Sequence, residues 1–364
     1  MALRTFGGAR IGSDARPTVP CMKLIVTGGA GYIGSHAVQQ LLRGGHTVVV
    51  VDNLFRGHRR PLELLGLRSN PALSFVEGSI TDAAVVEAAF SKARVDAVLH
   101  FAALAYVGES VDQPLAYVDA NITGLSRVLD ACARHGVERF VFSSSCSTYG
   151  NPPEGMIPVP ETCPQDPVSP YGRSKLVGEW VIRDFATSQA RAGKPFGFAF
   201  LRYFNVCGCD VGGVLGEDHT PESHLVPILM QVAMGQRSHI DLFGTDYPTP
   251  DGTCVRDYVH VEDLIAAHIL AIEKLRPGDA KAYNVGIGRG YSVREIVDAA
   301  RRVTGKPIPV KEGPRRAGDA SMLYNDPRLV KSELGWNPVH TDIDEVIRSA
   351  WNWFSRHPQG YRTP

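Results

Sequence analysis

From Met22 onward the chain alternates short, mostly apolar runs with stretches whose apolar positions recur at helical spacing. Lys23 to Thr27, Thr47 to Asp52, Leu73 to Glu77, Ala97 to Phe101, Arg139 to Ser143 and Gly197 to Arg202 are rich in valine, leucine and phenylalanine. Runs with so little polar alternation read as strands covered on both faces. Ser35 to Arg43, Asp82 to Lys92 and Thr123 to His135 lie between them and read as amphipathic helices. This order predicts a parallel sheet with helices on both sides. Asn151 to Pro170 is proline-rich and reads as a long loop. After Asn205, glycine, proline and histidine become frequent. The pattern there predicts a smaller domain over 206–364, with segments near 255–261 and 282–285 returning to the main sheet.

Length and charge narrow the picture. A chain of 364 residues has room for two domains. Its 38 basic residues balance 38 acidic ones, so no global field points to nucleic acid or a membrane surface. No apolar run approaches the ~20 residues that a membrane-spanning helix requires. Seven scattered cysteines suit a reducing cytoplasm, with Cys207 and Cys209 read as buried small hydrophobes. None of their spacings repeats the paired ligands of a zinc knuckle, so no metal is expected. Residues 1–21 lack the apolar core of a secretory signal and read as a disordered extension.

The first run leads directly into Gly28-Gly29-Ala30-Gly31-Tyr32-Ile33-Gly34, and a helical pattern follows. Gly28 permits a tight turn, Gly31 lets backbone approach a pyrophosphate, and Gly34 lets the helix pack close to the strand. The pyrophosphate would sit at the helix N-terminus, where free amides and the helix dipole favour an anion. Asp52, followed by Asn53, ends the next strand, where a carboxylate accepts from ribose hydroxyls and repels a 2′-phosphate. The alternative for Asp52 is an ordinary turn residue. The context favours NAD over NADP, and the fold class is a Rossmann-type, doubly wound α/β sheet spanning 22–205.

Ser169-Pro170-Tyr171-Gly172-Arg173-Ser174-Lys175 opens another helix, with serine at the cap and proline at the first position. Tyr171 and Lys175, four apart, share a helix face. A free tyrosine, with a pKa of ~10, is a poor base at neutral pH, and a nearby ammonium favours its phenolate. Phe142 to Gly150 lies at the C-terminal end of the fifth predicted strand, at the sheet edge where ligands gather in such folds. There the Ser145 hydroxyl can both donate and accept, as a proton relay to a substrate hydroxyl requires.

These motifs resemble the extended short-chain dehydrogenase/reductase superfamily, and within it the UDP-glucose 4-epimerase family. The likeness runs through Thr27 to Ser35, His100 to Ala103, Val107 to Ser110, Leu201 to Asn205, Val255 to His260 and Pro314 to Asp319, and spans Met22 to Tyr361. It implies Tyr171, Lys175 and Ser145 as the catalytic set. On the NAD side it implies Gly28, Gly31, Tyr32, Ile33, Gly34, Asp52, Asn53, Ser79, Ile80, Phe101, Ala102, Ala103, Asn121, Ser143 and Tyr203, with Tyr171 and Lys175. On the UDP-sugar side it implies Asn205, Leu225, Phe243, Arg256, Arg316 and Asp319, with Ser145, Tyr171 and, beside the sugar's C2 substituent, Leu323. For the arginines taken singly, structural ion pairs remain the alternative. A homodimer is implied as well.

The implied reaction removes the 4-hydroxyl proton and the C4 hydride, turns the 4-keto sugar over, and returns the hydride to the opposite face. The expected pair is UDP-galactose and UDP-glucose. Ala105-Tyr106 and Ser145-Cys146 also resemble UDP-arabinose (UDP-xylose) 4-epimerases, which keeps that pair open. A nucleotide-sugar 4,6-dehydratase would carry an Asp-Glu pair where Cys146 and Ser147 stand. A non-catalytic NAD-binding regulator would keep the glycine turn and lose the tyrosine, lysine or serine.

Overall fold

The computed structural model describes residues 20–362, apart from Ala93, Glu154 and residues 317–319. Most of the predicted N-terminal extension, and Asp319, therefore lie outside the described residues. Six strands follow the predicted runs: β1 (Lys23–Thr27), β2 (Thr47–Asp52), β3 (Leu73–Glu77), β4 (Ala97–His100), β5 (Arg139–Ser145) and β6 (Gly197–Tyr203). The later strands are β7 (Asn205–Cys207), β8 (Ile240–Phe243), β9 (Val255–His260), β10 (Ala280–Val285), β11 (Gly290–Ser292), β12 (Val310–Gly313) and β13 (Met322–Leu323).

Strands β1 to β6 and β10 form one parallel sheet in the order β10-β6-β5-β4-β1-β2-β3. The strand order reverses between β1 and β4, which is where ligands bind in doubly wound folds. Successive side chains leave a strand on opposite faces. Leu24, Val26, Val48 and Val50 accordingly pack with the helices Tyr32–Arg43 and Val261–Lys274. Ile25, Val49 and Val51 pack on the other side with Ala83–Phe90, Gly124–His135 and Pro170–Arg191. Burying each such side chain is worth roughly 1.5–3 kcal/mol, and both layers need the sheet between them.

A second core joins the helices Leu225–Ala233, Val293–Thr304 and Ile343–Phe354 through Leu229, Met230, Ile296, Ile347 and Trp353. Beside it, β9 pairs with β7, β11 and β13, and β8 pairs with β12. Here the structure corrects one expectation. Ala280–Val285 does return to the main sheet, beside β6, whereas Val255–His260 organises the smaller one. A run of β-branched residues reads alike in either sheet, and the choice of partner is tertiary.

Strand β5 also runs two residues beyond the predicted Ser143. That extension carries Ser145 to the sheet's C-terminal edge, level with Tyr203 of β6. No helix among the described residues is long and apolar enough to cross a membrane.

Candidate active site

The C-terminal ends of β1, β2, β4, β5 and β6 lie along one edge of the parallel sheet. Gly28 turns the chain at φ 72°, and a Cβ there would come within 2.6 Å of the Ala102 nitrogen. At Gly34 a Cβ would come within 2.1 Å of the Gly28 carbonyl, so the helix can approach β1 this closely only with glycine. Gly31 precedes the helix, and no side chain caps it. The first-turn amides, including those of Tyr32, Ile33 and Gly34, thus present an uncapped helix start suited to a pyrophosphate.

Asp52 is nearly buried and accepts from the Ala30 amide at 3.0 Å and the Leu54 amide at 2.8 Å. Burial raises its pKa, and the amides of Leu54, Ala30 and Gly31 oppose the shift. Its carboxylate therefore fixes the glycine turn, and spare lone pairs are left for ribose hydroxyls. Leu54 pays for this geometry with a left-handed φ of 57°, strained for a branched side chain. Asn53 accepts from the Phe55 amide. Ser79 exchanges a 2.8 Å hydrogen bond with Thr81, and Ile80 lies against Gly124. Phe101 packs at a tilt against His268, Ala102 donates to Thr27 Oγ1, and Ala103 follows at the same edge. These residues follow the C-terminal ends of β1 to β4, the edge of a doubly wound sheet where ligands bind.

Ser169 caps the helix Pro170–Arg191 by accepting from the Gly172 amide at 3.1 Å, as its sequence predicts. Tyr171 and Lys175 are both buried on one face of that helix. The Lys175 ammonium donates to the Ser143 carbonyl at 2.8 Å and stands 6.0 Å from the Tyr171 ring centroid. Burial pulls Lys175 down to about 7, against the field of Glu179. Burial also pushes Tyr171 well above its ordinary value, Tyr203 adds to the shift, and a hydrogen bond with Ser145 opposes it. Burial therefore outweighs the hydrogen bond that favours the phenolate. Ser145 accepts from the Ser147 amide at 3.1 Å, which leaves its O–H oriented by the short helix that follows.

Beneath this set lies a buried network that the sequence reading did not anticipate. Glu179 Oε2 accepts from Arg202 at 2.6 Å, and its other oxygen accepts from Ser144 at 2.7 Å and from Arg202 Nε at 2.8 Å. Ser143 donates to Tyr203 at 3.0 Å. Asn121 lies in a five-residue π-helical turn, Asp119–Thr123, of the kind that often marks functional sites. Its side chain accepts from the Leu104 amide and donates to the Leu104 carbonyl and to Ser174. It thus anchors the loop after β4 to the helix Pro170–Arg191.

The residues implied for the UDP-sugar side hang mainly from the smaller lobe. Arg256 and Leu323 stand opposite one another in the β9–β13 pairing. The Arg256 charge also reaches Cys146, whose thiol burial pushes up to about 12. Arg316 lays its guanidinium over the Phe243 ring at 4.0 Å from the centroid. Asn205 is exposed at the start of β7, and Leu225 begins a helix of the smaller lobe. Leu323 borders a small cluster of Tyr149, Val159, Cys163, Phe204 and Cys146. The resemblance therefore picks residues from six separate segments, and β9 sets Arg256 against Leu323 directly.

A further cluster went unnoticed in the sequence. Glu217, His219, Glu222 and His224 bring their ligand atoms within 4.8 Å of one another. A helical or strand period does not reveal a loop of this kind. The signal was the density of His and Glu in eight residues.

Residues 24–286 match the NAD dependent epimerase/dehydratase family. A UDP-glucose 4-epimerase of Lacticaseibacillus casei is 46% identical over 93% of this chain and 99% of its own length. A probable UDP-arabinose 4-epimerase of rice, Oryza sativa subsp. japonica, is 42% identical over 98% and 87% respectively. Among solved structures, the UDP-glucose 4-epimerase of Bifidobacterium longum in complex with NAD+ and UDP superposes with a TM-score of 0.86. It is 37% identical, over 93% of this chain and 99% of that one.

Proposed function

The chain belongs to the NAD dependent epimerase/dehydratase family, and from that premise we propose that it is a UDP-glucose 4-epimerase. It interconverts UDP-galactose and UDP-glucose through a 4-keto intermediate. The observation that carries this reading is the burial of Tyr171, Lys175 and Ser145 at the same sheet edge as an uncapped helix start whose turn admits only glycine at Gly28 and Gly34. NAD+ supplies, when bound, a hydride acceptor and a positive charge that favours the Tyr171 phenolate.

Tyr171 holds and returns the 4-hydroxyl proton, with Ser145 passing it or orienting the hydroxyl. Lys175 binds the dinucleotide side of the crevice and keeps the Ser143 strand end in place. Asn205, Leu225, Phe243, Arg256, Arg316 and Asp319 grip the UDP portion, Arg256 and Arg316 as diphosphate partners. A tight hold on UDP retains the reactive keto sugar while its ring turns over.

The test is incubation with UDP-galactose, UDP-glucose, their N-acetyl forms and the UDP-pentoses, with products assigned by NMR. Equilibration of the hexose pair upholds the reading; turnover confined to the pentoses overturns it. The second reading, a UDP-arabinose 4-epimerase, is favoured by the 42% identity to the rice protein and by Tyr106 and Cys146.

The chain also forms a homodimer in this reading, in the cytoplasm. Val107, Val111, Leu115, Val118 and Trp180 are exposed on three mutually packed helices, Val107–Asp112, Pro114–Val118 and Pro170–Arg191. Light scattering on the purified chain reads the mass directly.

A further inference from the structure

We propose that Glu217, His219, Glu222 and His224 form a binding site for a single divalent transition-metal cation of the zinc class. Four donor atoms on a tetrahedral zinc, each ~2.0–2.2 Å from the metal, lie ~3.3–3.5 Å from one another. The four imidazole–carboxylate separations are near that spacing, and all the donor atoms lie within 4.8 Å of one another. His219 Nδ1 stands 3.5 Å from Glu217 Oε1 and 3.5 Å from Glu222 Oε2. His224 Nδ1 stands 3.0 Å from Glu217 Oε1 and 3.1 Å from Glu222 Oε1. Two imidazoles and two carboxylates are the mixed nitrogen and oxygen set that borderline divalent metals take.

A second observation, at His219, adds to this geometry. His219 Nδ1 is buried and makes no hydrogen bond, although carboxylate oxygens flank it on two sides. A buried imidazole nitrogen without a partner is costly, and a cation held between it and the carboxylates would satisfy it. Both carboxylates are almost fully buried, at side-chain exposures of 2% and 3%, while His224 is 43% exposed and offers an entry path. The second shell is in place: Glu222 Oε1 accepts from the Ser223 and His224 amides at 2.7 Å each.

The site's position gives the cation a task. Residues 217–224 form a strap between β7 and the helix Leu225–Ala233, and it touches the glycine-turn helix through Tyr32. The His219 ring meets the Tyr32 ring edge-on at 6.2 Å, and Tyr106, also edge-on to both histidines, donates to the Pro221 carbonyl at 3.0 Å. Leu225, at the start of the next helix, follows His224 directly. A bound cation would therefore hold the dinucleotide side and the UDP side in register, without taking part in the hydride chemistry. This inference does not depend on which sugar is epimerised.

The test uses the full chain. Elemental analysis of the purified protein should find close to one zinc per chain. Protein stripped with a chelator should regain roughly 5 °C or more in Tm on adding zinc chloride alone. His219→Gln should weaken zinc affinity, measured by chelator competition, by more than the ~10–100-fold that loss of an outer partner costs. Should that variant fail to fold, His224→Gln, at the exposed corner, is read in the same assay. No zinc in the purified protein together with no Tm rise for stripped wild type overturns the proposal. So does an unchanged affinity in a folded variant.

Discussion

The two walls of the crevice are built on different principles. The dinucleotide wall is made of strand ends and backbone. Gly28 and Gly34 have no room for a Cβ, Asp52 is tied to two amides, and Ser143, Lys175, Glu179 and Arg202 are buried in one network. The opposite wall is made of side-chain tips on short strands. Arg316 rests on an exposed Phe243, Asn205 is exposed, and Leu323 belongs to a two-residue strand. A reaction that presents both faces of one sugar carbon to a fixed hydride acceptor needs that asymmetry. One wall must not move, and the other must hold UDP while leaving the sugar free to turn.

The sharpest way to break the comparison is to loosen the rigid wall from behind. Glu179→Gln leaves the Arg202 guanidinium buried without its charge partner. Removing one member of a buried pair costs about 3–5 kcal/mol. Urea unfolding should register that loss, whereas a change below about 1 kcal/mol would show that the network does not hold the wall.

Next comes the chemistry set into that wall. Tyr171→Phe should lower kcat by ~10²-fold or more, as loss of a general base does, with UDP affinity nearly unchanged. Turnover at the wild-type rate would remove Tyr171 from the proton path. The phenol is buried, so the Phe variant should also fold normally.

On the open wall the signature should invert. Arg316→Ala removes an exposed side chain, so stability should change by less than about 0.5 kcal/mol. Loss of a charge-assisted contact to a diphosphate, worth ~1.5–3 kcal/mol, should raise KM ~10–100-fold with kcat little altered. A fall in kcat with KM unchanged would place Arg316 in the catalytic step instead.

The two walls also differ in how far the sequence reveals them. The dinucleotide wall is local: strand, glycine turn, helix and the next strand's aspartate follow one another in the chain, and each constraint is steric. Glu179 could have been read too, since it continues the Tyr171 and Lys175 face four residues on. What hides it is its partner, Arg202, on another element. The substrate wall is assembled from distant segments, so only the family resemblance pointed to Arg256 and Leu323 together. That β9 pairs with β13 rather than with the main sheet depends on which neighbour buries it, and periodicity carries no information on that. Residues 217–224 have neither helical nor strand period, and their four donors meet only because the strap folds back on itself.

The smallest effect concerns the tip of the open wall. Leu323 stands opposite Arg256, beside the cluster that contains Cys146 and Phe204, and is only partly buried. A side chain in that position can limit the space for a sugar substituent without carrying much of the fold. Leucine lacks an aromatic ring but still projects a branched tip, so it should exclude an N-acetyl group in part. Wild type should turn over UDP-galactose and UDP-glucose efficiently and UDP-N-acetylglucosamine weakly. A difference of this size in an apolar pocket is worth ~1–3 kcal/mol. Leu323→Ala should therefore raise kcat/KM for UDP-N-acetylglucosamine by roughly 10-fold, with the hexose rates changed much less. If Leu323 instead serves only the small cluster behind it, the alanine variant will lose stability and depress both activities alike. Measuring Tm and both substrates on one preparation separates the outcomes, because extra space for the sugar raises one rate and a packing defect raises neither.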